Sequence, residues 1–174
     1  MYKGLGSIEV AENFSCGVGS KLAPSLEFAF EARLDLGPVQ EVGNLAQGAG
    51  RRVIPIIGGT FAGPGGLSGR VLSGGADWQI VRADGSAELD ARYTLQTDSG
   101  ALIYVSNQGV RNGPPEVLAR LRAGERVDPS AYYFRATPKF EASAPELLWL
   151  MRFIFVCTGE RLAHQVILTF WRIL

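Results

Sequence analysis

Four short stretches of the chain carry side chains able to move a proton or hold an anion. They are Asp77-Trp78-Gln79, the run LDARY with Asp90, Arg92 and Tyr93, Asn107 in VSNQG, and Tyr133 and Arg135 in YYFRATP. An aspartate taken out of water serves as general acid or base, and tyrosine can donate a proton. A guanidinium clamps a carboxylate through its planar fork of donors, while indole and amide groups stack on and orient a flat ligand. On these grounds Asp90, Asp77, Arg92 and Tyr93 are the catalytic candidates. Trp78, Gln79, Asn107, Tyr133, Arg135, Trp149 and Arg52 are the ligand-binding candidates. Each has a plain structural alternative: core or rim packing for Trp78 and Trp149, a surface ion pair for Arg135, strand-end solvation for Arg51 and Arg52. The single histidine, His164, reads as a solvated strand residue beside a turn.

Other chemistries are poorly served. One histidine and two cysteines, Cys16 and Cys157, lack metal-ligand spacing and cannot make a disulfide framework or a multi-histidine site. The glycine-rich run GGTFAGPGGLSG has no GK[ST] and no helix after it, so it is no phosphate loop. Phe61, Leu67, Val71 and Leu72 anchor that run too firmly for a linker and leave it as strand, bulge and turn. No metal and no cofactor is therefore expected. With 17 basic and 17 acidic residues there is no electrostatic footprint for nucleic acid or an anionic membrane. The N-terminus has no long apolar segment, and no run reaches the roughly 18 apolar residues of a membrane span, so a soluble cytoplasmic protein is expected.

The elements that must position these residues are mostly strands. LEFAFEARLDLG alternates strictly, with Leu26, Phe28, Phe30, Ala32 and Leu34 on one face. RRVIPIIGG is cut by Pro55, which predicts an edge, a bend or a bulge. LSGRVLSGG and ADWQIVRAD read as further strands. AELDARYTLQ and ALIYVSNQG form a hairpin across TDSG. If Thr97 opposes Gly100, Asp90 lies opposite Asn107 and Arg92 opposite Val105, on one polar face. AYYFRATPKFEA is extended with a break at Pro138, and RFIFVCTG with HQVILTFWRIL makes a terminal hairpin around TGERL. PPEVLARLRAGE gives one short helix over residues 114–124. Residues 1–24 read as an N-terminal strand or arm and 43–51 as an internal loop. Many short strands with glycine at the corners predict one all-β domain, a closed or nearly closed antiparallel β-barrel with one short helix. In a sandwich the Asp90/Arg92/Asn107 face would be wet surface; inside a barrel it would converge.

The ordered series GRRVIPIIGGTFAGPGGLSGRVLSGGADWQ, ELDARYTLQTDSGALIYVSNQG and YYFRATPKFEASAPELLWL resembles domain-of-unknown-function family 3237 of small bacterial proteins. The likeness runs from about Leu26 to the C-terminus. It implies a compact β-barrel, and a lyase role on an aromatic hydroxylamine acid, attached to the group, implies the class of ligand. The family usually carries Asn after the WL pair, where this chain has Met151. Taken together, the residues and the resemblance predict a cofactor-independent lyase, isomerase or cyclase acting by general acid–base chemistry on a small, partly aromatic or anionic metabolite. A non-catalytic ligand-binding barrel and a self-association module, dimerising through the C-terminal strands, are the alternatives.

Overall fold

The computed structural model describes residues 23–45 and 49–174, so nearly all of the arm expected over 1–24, with Cys16, lies outside the described residues. The strands in chain order begin with β1 (Leu26–Leu36), β2 (Gln40–Asn44), β3 (Gly50–Ala62), β4 (Ser68–Val71), β5 (Gly75–Val81), β6 (Ala87–Thr97) and β7 (Leu102–Asn112), with alternating burial clear in β6. The helix α1 (Pro115–Arg122) follows, then β8 (Tyr133–Ala142), β9 (Phe155–Arg161) and β10 (Gln165–Ile173). Every ladder is antiparallel. The order β1-β10-β9-β8-β7-β6 continues through β4 and β5, both of which bridge β6 to β3, and β3 pairs back onto β1. With β4 and β5 sharing one position, the result is a closed eight-stranded barrel, and β2 adds to the edge of β3. Among the described residues no helix is long and apolar enough to cross a membrane.

Inward positions supply the core. Phe30 stacks on Phe170 with centroids 4.4 Å apart, and Phe140 meets both Phe170 and Phe155 edge-on. A 3-10 turn, Pro145–Met151, buries Leu147 and Leu150 at this end and sets Trp149 against Phe155. Met151 is exposed there. This end of the barrel is dry and aromatic.

Three local expectations need correcting, and one is narrowed. A bulge between Phe28 and Phe30 breaks the alternation of β1, so Ala29 and Phe30 are both buried while Leu26 and Phe28 face out. Of the three alternatives at Pro55 the bulge fits: the residue neither ends nor edges its strand. It sits mid-β3, beside the register shift between Asp35 and Leu36 of β1. Pro138 also lies within a continuous strand: β8 pairs with β9 only at Arg135 and Ala136, so a missing N–H at Pro138 breaks no bond on that side. The terminal turn falls at Leu162–His164, with Gly159 and Glu160 inside β9.

The consequential shift is at TDSG. Gly100 takes φ +90° and adds one residue to the turn, so Thr97 hydrogen-bonds Ala101 rather than opposing Gly100. The ladder then pairs Asp90 with Gln108 and Ala91 with Asn107. A one-residue slip moves a residue to the other face.

Closure depends on Gly59. It pairs with Leu34 across the β1–β3 seam at φ +130°, and a Cβ there would lie 1.9 Å from the Arg33 carbonyl oxygen. Gly59→Ala is expected to cost roughly 2–5 kcal/mol, combining left-handed strain with overpacking. Urea unfolding checks this, and an unchanged midpoint would contradict the closure argument.

Candidate functional site

The end of the barrel remote from the aromatic core is polar. β3 and β5 pair Ile54 with Asp77 and Arg52 with Gln79, which sends Asp77 and Gln79 inward together. Arg52 Nε donates to Gln79 Oε1 at 2.8 Å, and the Gln79 amide in turn donates to Asp77 Oδ2. The β5–β6 ladder lapses between the pairs Asp77/Ala91 and Ile80/Glu88. Within that gap the Asp90 N–H donates to Asp77 Oδ1 at 3.1 Å. Both carboxylate oxygens are thus held, one by a side-chain relay and one by backbone.

Opposite Asp77 stand residues of β7, β8 and β9. The register that turns Asn107 inward also turns Arg111 inward, paired with Ala87 and Phe134. Arg161 is the last residue of β9. Its N–H donates to the hydroxyl of Tyr132 at 2.9 Å, and its guanidinium donates to the Gln165 carbonyl. Asp77, Gln79, Asn107, Arg111 and Arg161 share a cavity of about 40 Å³ with apolar walls from Leu34, Ile56, Leu89, Phe134 and Leu168. That is room for about three waters at ~10–15 Å³ each. Asp77 is half-buried by area yet deeply set, because what surface it keeps borders this cavity.

Electrostatics follow from the enclosure. Burial pushes the Asp77 carboxyl above the ordinary aspartate value, and the opposing hydrogen bonds from Gln79 and Asp90 and the charges of Arg111 and Arg52 do not cancel it. Burial likewise lowers Arg111, helped by the like charges of Arg52 and Arg161, to about 10. Arg52 and Arg161 are lowered chiefly by burial. Arg111 is 7% exposed, and its Nε has no hydrogen-bond partner among the described residues. Three guanidiniums therefore gather about Asp77, whose carboxyl is raised by burial, and the exposed Glu41 also acts on Arg52. Such a site attracts an anion and offers it a proton donor. The Cys157 thiol, pushed up to about 12 by burial, is no nucleophile at neutral pH.

The eleven candidate residues divide. Asp77, Gln79, Asn107 and Tyr93 point into the barrel, and Arg52 joins them through Gln79. Asp90 and Arg92 do not: they form an ion pair at 3.3 Å on the outer wall. Trp78, 36% exposed, lies outside beside Asp90, Gln108 and Val110. Tyr133 and Arg135 also face out, the guanidinium over the phenol ring, because Phe134 takes the inward position between them and Tyr132 is buried just before β8 begins. Trp149 belongs to the aromatic end, and His164 is an exposed turn residue. Arg111 and Arg161 escaped the sequence reading. The signal was present for Arg111, which follows Asn107 by four residues at strand period; Arg161 sat in what looked like a turn.

The family described as Protein of unknown function (DUF3237) matches residues 24–173. The chain belongs to the DUF3237 family. Among relatives, a UPF0311 protein of Rhodopseudomonas palustris is 43% identical over 155 residues, 88% of this chain and all of that one. A UPF0311 protein of Clostridium acetobutylicum is 49% identical over 71% of this chain and 77% of its own. The crystal structure of a Rhodopseudomonas palustris protein of unknown function superposes with TM-score 0.84 at 41% identity, over 87% of this chain and 99% of the other. A more distant match is a hydroalkoxylation enzyme of Penicillium herquei, 36% identical over 83 residues, 48% of this chain and 54% of that enzyme. The crystal structure of an enzyme from Penicillium herquei has TM-score 0.64 at 25% identity, over 87% of this chain and 95% of its own.

The raised carboxyl of this DUF3237 barrel gives a signed pH effect. A carboxyl raised on folding contributes stability that is present below its unfolded value near 4 and is lost as pH rises through the folded value. Wild type is therefore expected to lose ground to Asp77→Asn as pH rises above about 4. Urea midpoints of both proteins across that window test it, and a gap independent of pH would refute it.

Proposed function

We propose that the polar mouth of this barrel is the active site of a cofactor-independent enzyme catalysing acid–base addition, elimination or cyclisation on a small, partly aromatic anion. The observation that carries this reading is Asp77: a buried carboxyl, raised above the ordinary aspartate value, fixed by Gln79 and the Asp90 N–H, and facing the guanidiniums of Arg111 and Arg52. A carboxyl in that state can give a proton and take one back. Arg111 and Arg161 hold the substrate's anionic group, and Arg52 keeps Gln79 oriented on Asp77.

The Penicillium herquei hydroalkoxylation enzyme supports the choice of chemistry. Hydroalkoxylation adds an alcohol across a carbon–carbon double bond. Asp77 protonates one alkene carbon, the alcohol oxygen bonds to the other, and the alcohol proton returns to Asp77. The carboxyl ends as it began, so one residue suffices. A non-catalytic barrel is the second reading, favoured by the narrow cavity of about 40 Å³, which admits only a slender part of a ligand.

Turnover assays with alkenyl-substituted hydroxybenzoates and their cyclic ethers, run in both directions, separate the two. Asp77→Asn is expected to lower kcat by ~10²–10⁴-fold while retaining ligand affinity. Arg111→Met is expected to weaken affinity at least about tenfold, the loss of one charge-assisted contact. Full activity in Asp77→Asn would sink the catalytic reading. Binding without turnover in wild type would favour the second.

A further inference from the structure

Below the arginines, the barrel buries polar atoms that the proposed proton transfer does not use. Asn107 is 4% exposed and borders the cavity, and its Oδ1 has no hydrogen-bond partner among the described residues. Tyr93 is 2% exposed, and its hydroxyl is likewise without a partner among the described residues. The two are neighbours by register. Ala91 pairs with Asn107 and Tyr93 with Val105, so Tyr93 and Asn107 sit diagonally on the inward face of β6 and β7. The amide of Asn107 faces the Cys157 thiol, and the Tyr93 hydroxyl lies within Coulombic reach of Asp77 and Cys157.

Leaving a buried acceptor and a buried hydroxyl unpaired is unfavourable, and apolar replacements of similar shape would remove the penalty. Beyond the contact of the Asn107 amide with Cys157, nothing in the packing demands them: the surrounding inward positions are Ala91, Val105, Ala136 and Phe134. Polar atoms kept at such a cost mark a place built to meet a polar group from outside the chain. The amide oxygen accepts and the phenol both donates and accepts, and neither is charged in the neutral range. Together they suit a neutral group that can donate and accept, and a hydroxyl is the smallest such group.

We propose that Asn107 on the cavity wall, with Tyr93 buried beside it, forms a second subsite that takes a neutral hydroxyl of the ligand while its anionic end stays at Arg111 and Arg161. This rests on the reading of the mouth as an anion site. The ligand is then a slender hydroxy acid or a hydroxylated ring entering edge-first, oriented by opposite ends. Asn107 and Tyr93 are specificity-determining residues.

Two isosteric acids test the subsite: 4-hydroxybutanoate and pentanoate, which differ only by hydroxyl against methyl. Amide chemical-shift titration of the full chain reads both affinities. An apolar cavity favours pentanoate, whereas the subsite is expected to bind 4-hydroxybutanoate about tenfold tighter. In Asn107→Leu and in Tyr93→Phe that preference is expected to vanish, with pentanoate affinity unchanged and with thermal midpoints equal to or above wild type. Equal binding of the two acids to wild type overturns the subsite alone. So does a preference that survives both substitutions, or a lowered midpoint in both variants, which would mark the polar groups as structural. Failure of wild type to bind either acid overturns the anion site first, and the subsite with it.

Discussion

β1 is hydrogen-bonded on both edges, to β10 from Leu26 to Asp35 and to β3 from Glu31 to Leu36, and this double pairing shuts the sheet on itself. Without it, the inward residues of β3, β5, β6 and β7 would form one wet face of an open sheet. With it they line an interior from which water is largely excluded, where a polar group must find a partner or stand at a cost. The pairing is possible only because Gly59 lets the Arg33 carbonyl approach closer than any side chain would permit. One backbone contact thus sets the dielectric in which Asp77, Arg111 and Tyr93 are held.

The interior is graded along the barrel axis. At one end Phe30, Phe140, Phe155 and Phe170 interlock and the turn Pro145–Met151 seals them, which provides most of the apolar burial. At the other, Arg52, Arg111 and Arg161 crowd one carboxylate. A fold built for stability alone would reverse that choice, since replacing buried ions with apolar residues is often neutral or stabilising. The aromatic end supports the charged end: a rigid wall on all sides holds guanidiniums in mutual repulsion that a flexible loop would relax.

Much of this was legible from residue patterns. Alternation and glycine corners pointed to a closed antiparallel barrel, and the series GGADWQ, LDARY and YYFR pointed to the DUF3237 family. Asp77, Gln79, Asn107, Arg52 and Tyr93 were singled out and all turn inward or join those that do. Asp90, Arg92, Trp78, Tyr133 and Arg135 were singled out on equal grounds and face the solvent side. No residue type separates the two groups. What separates them is parity along a strand, and parity is set at turns: the extra residue at Gly100 moved Asn107 and Arg111 inside and left Asp90 and Arg92 outside.

What the sequence by itself determined was the class of fold, the family, and a set of side chains suited to acid–base chemistry on an anion. Those follow from local physics, since hydrophobic period and turn residues are properties of short segments. Only the tertiary structure decided which side chains meet. Arg161 lies 84 residues from Asp77 by their numbers, and the two come together because β9 and β5 stand on opposite walls of one closed sheet. Burial, and with it the raised carboxyl of Asp77 and the lowered guanidinium of Arg111, exists only once that sheet has closed, because each depends on water being excluded from all sides at once.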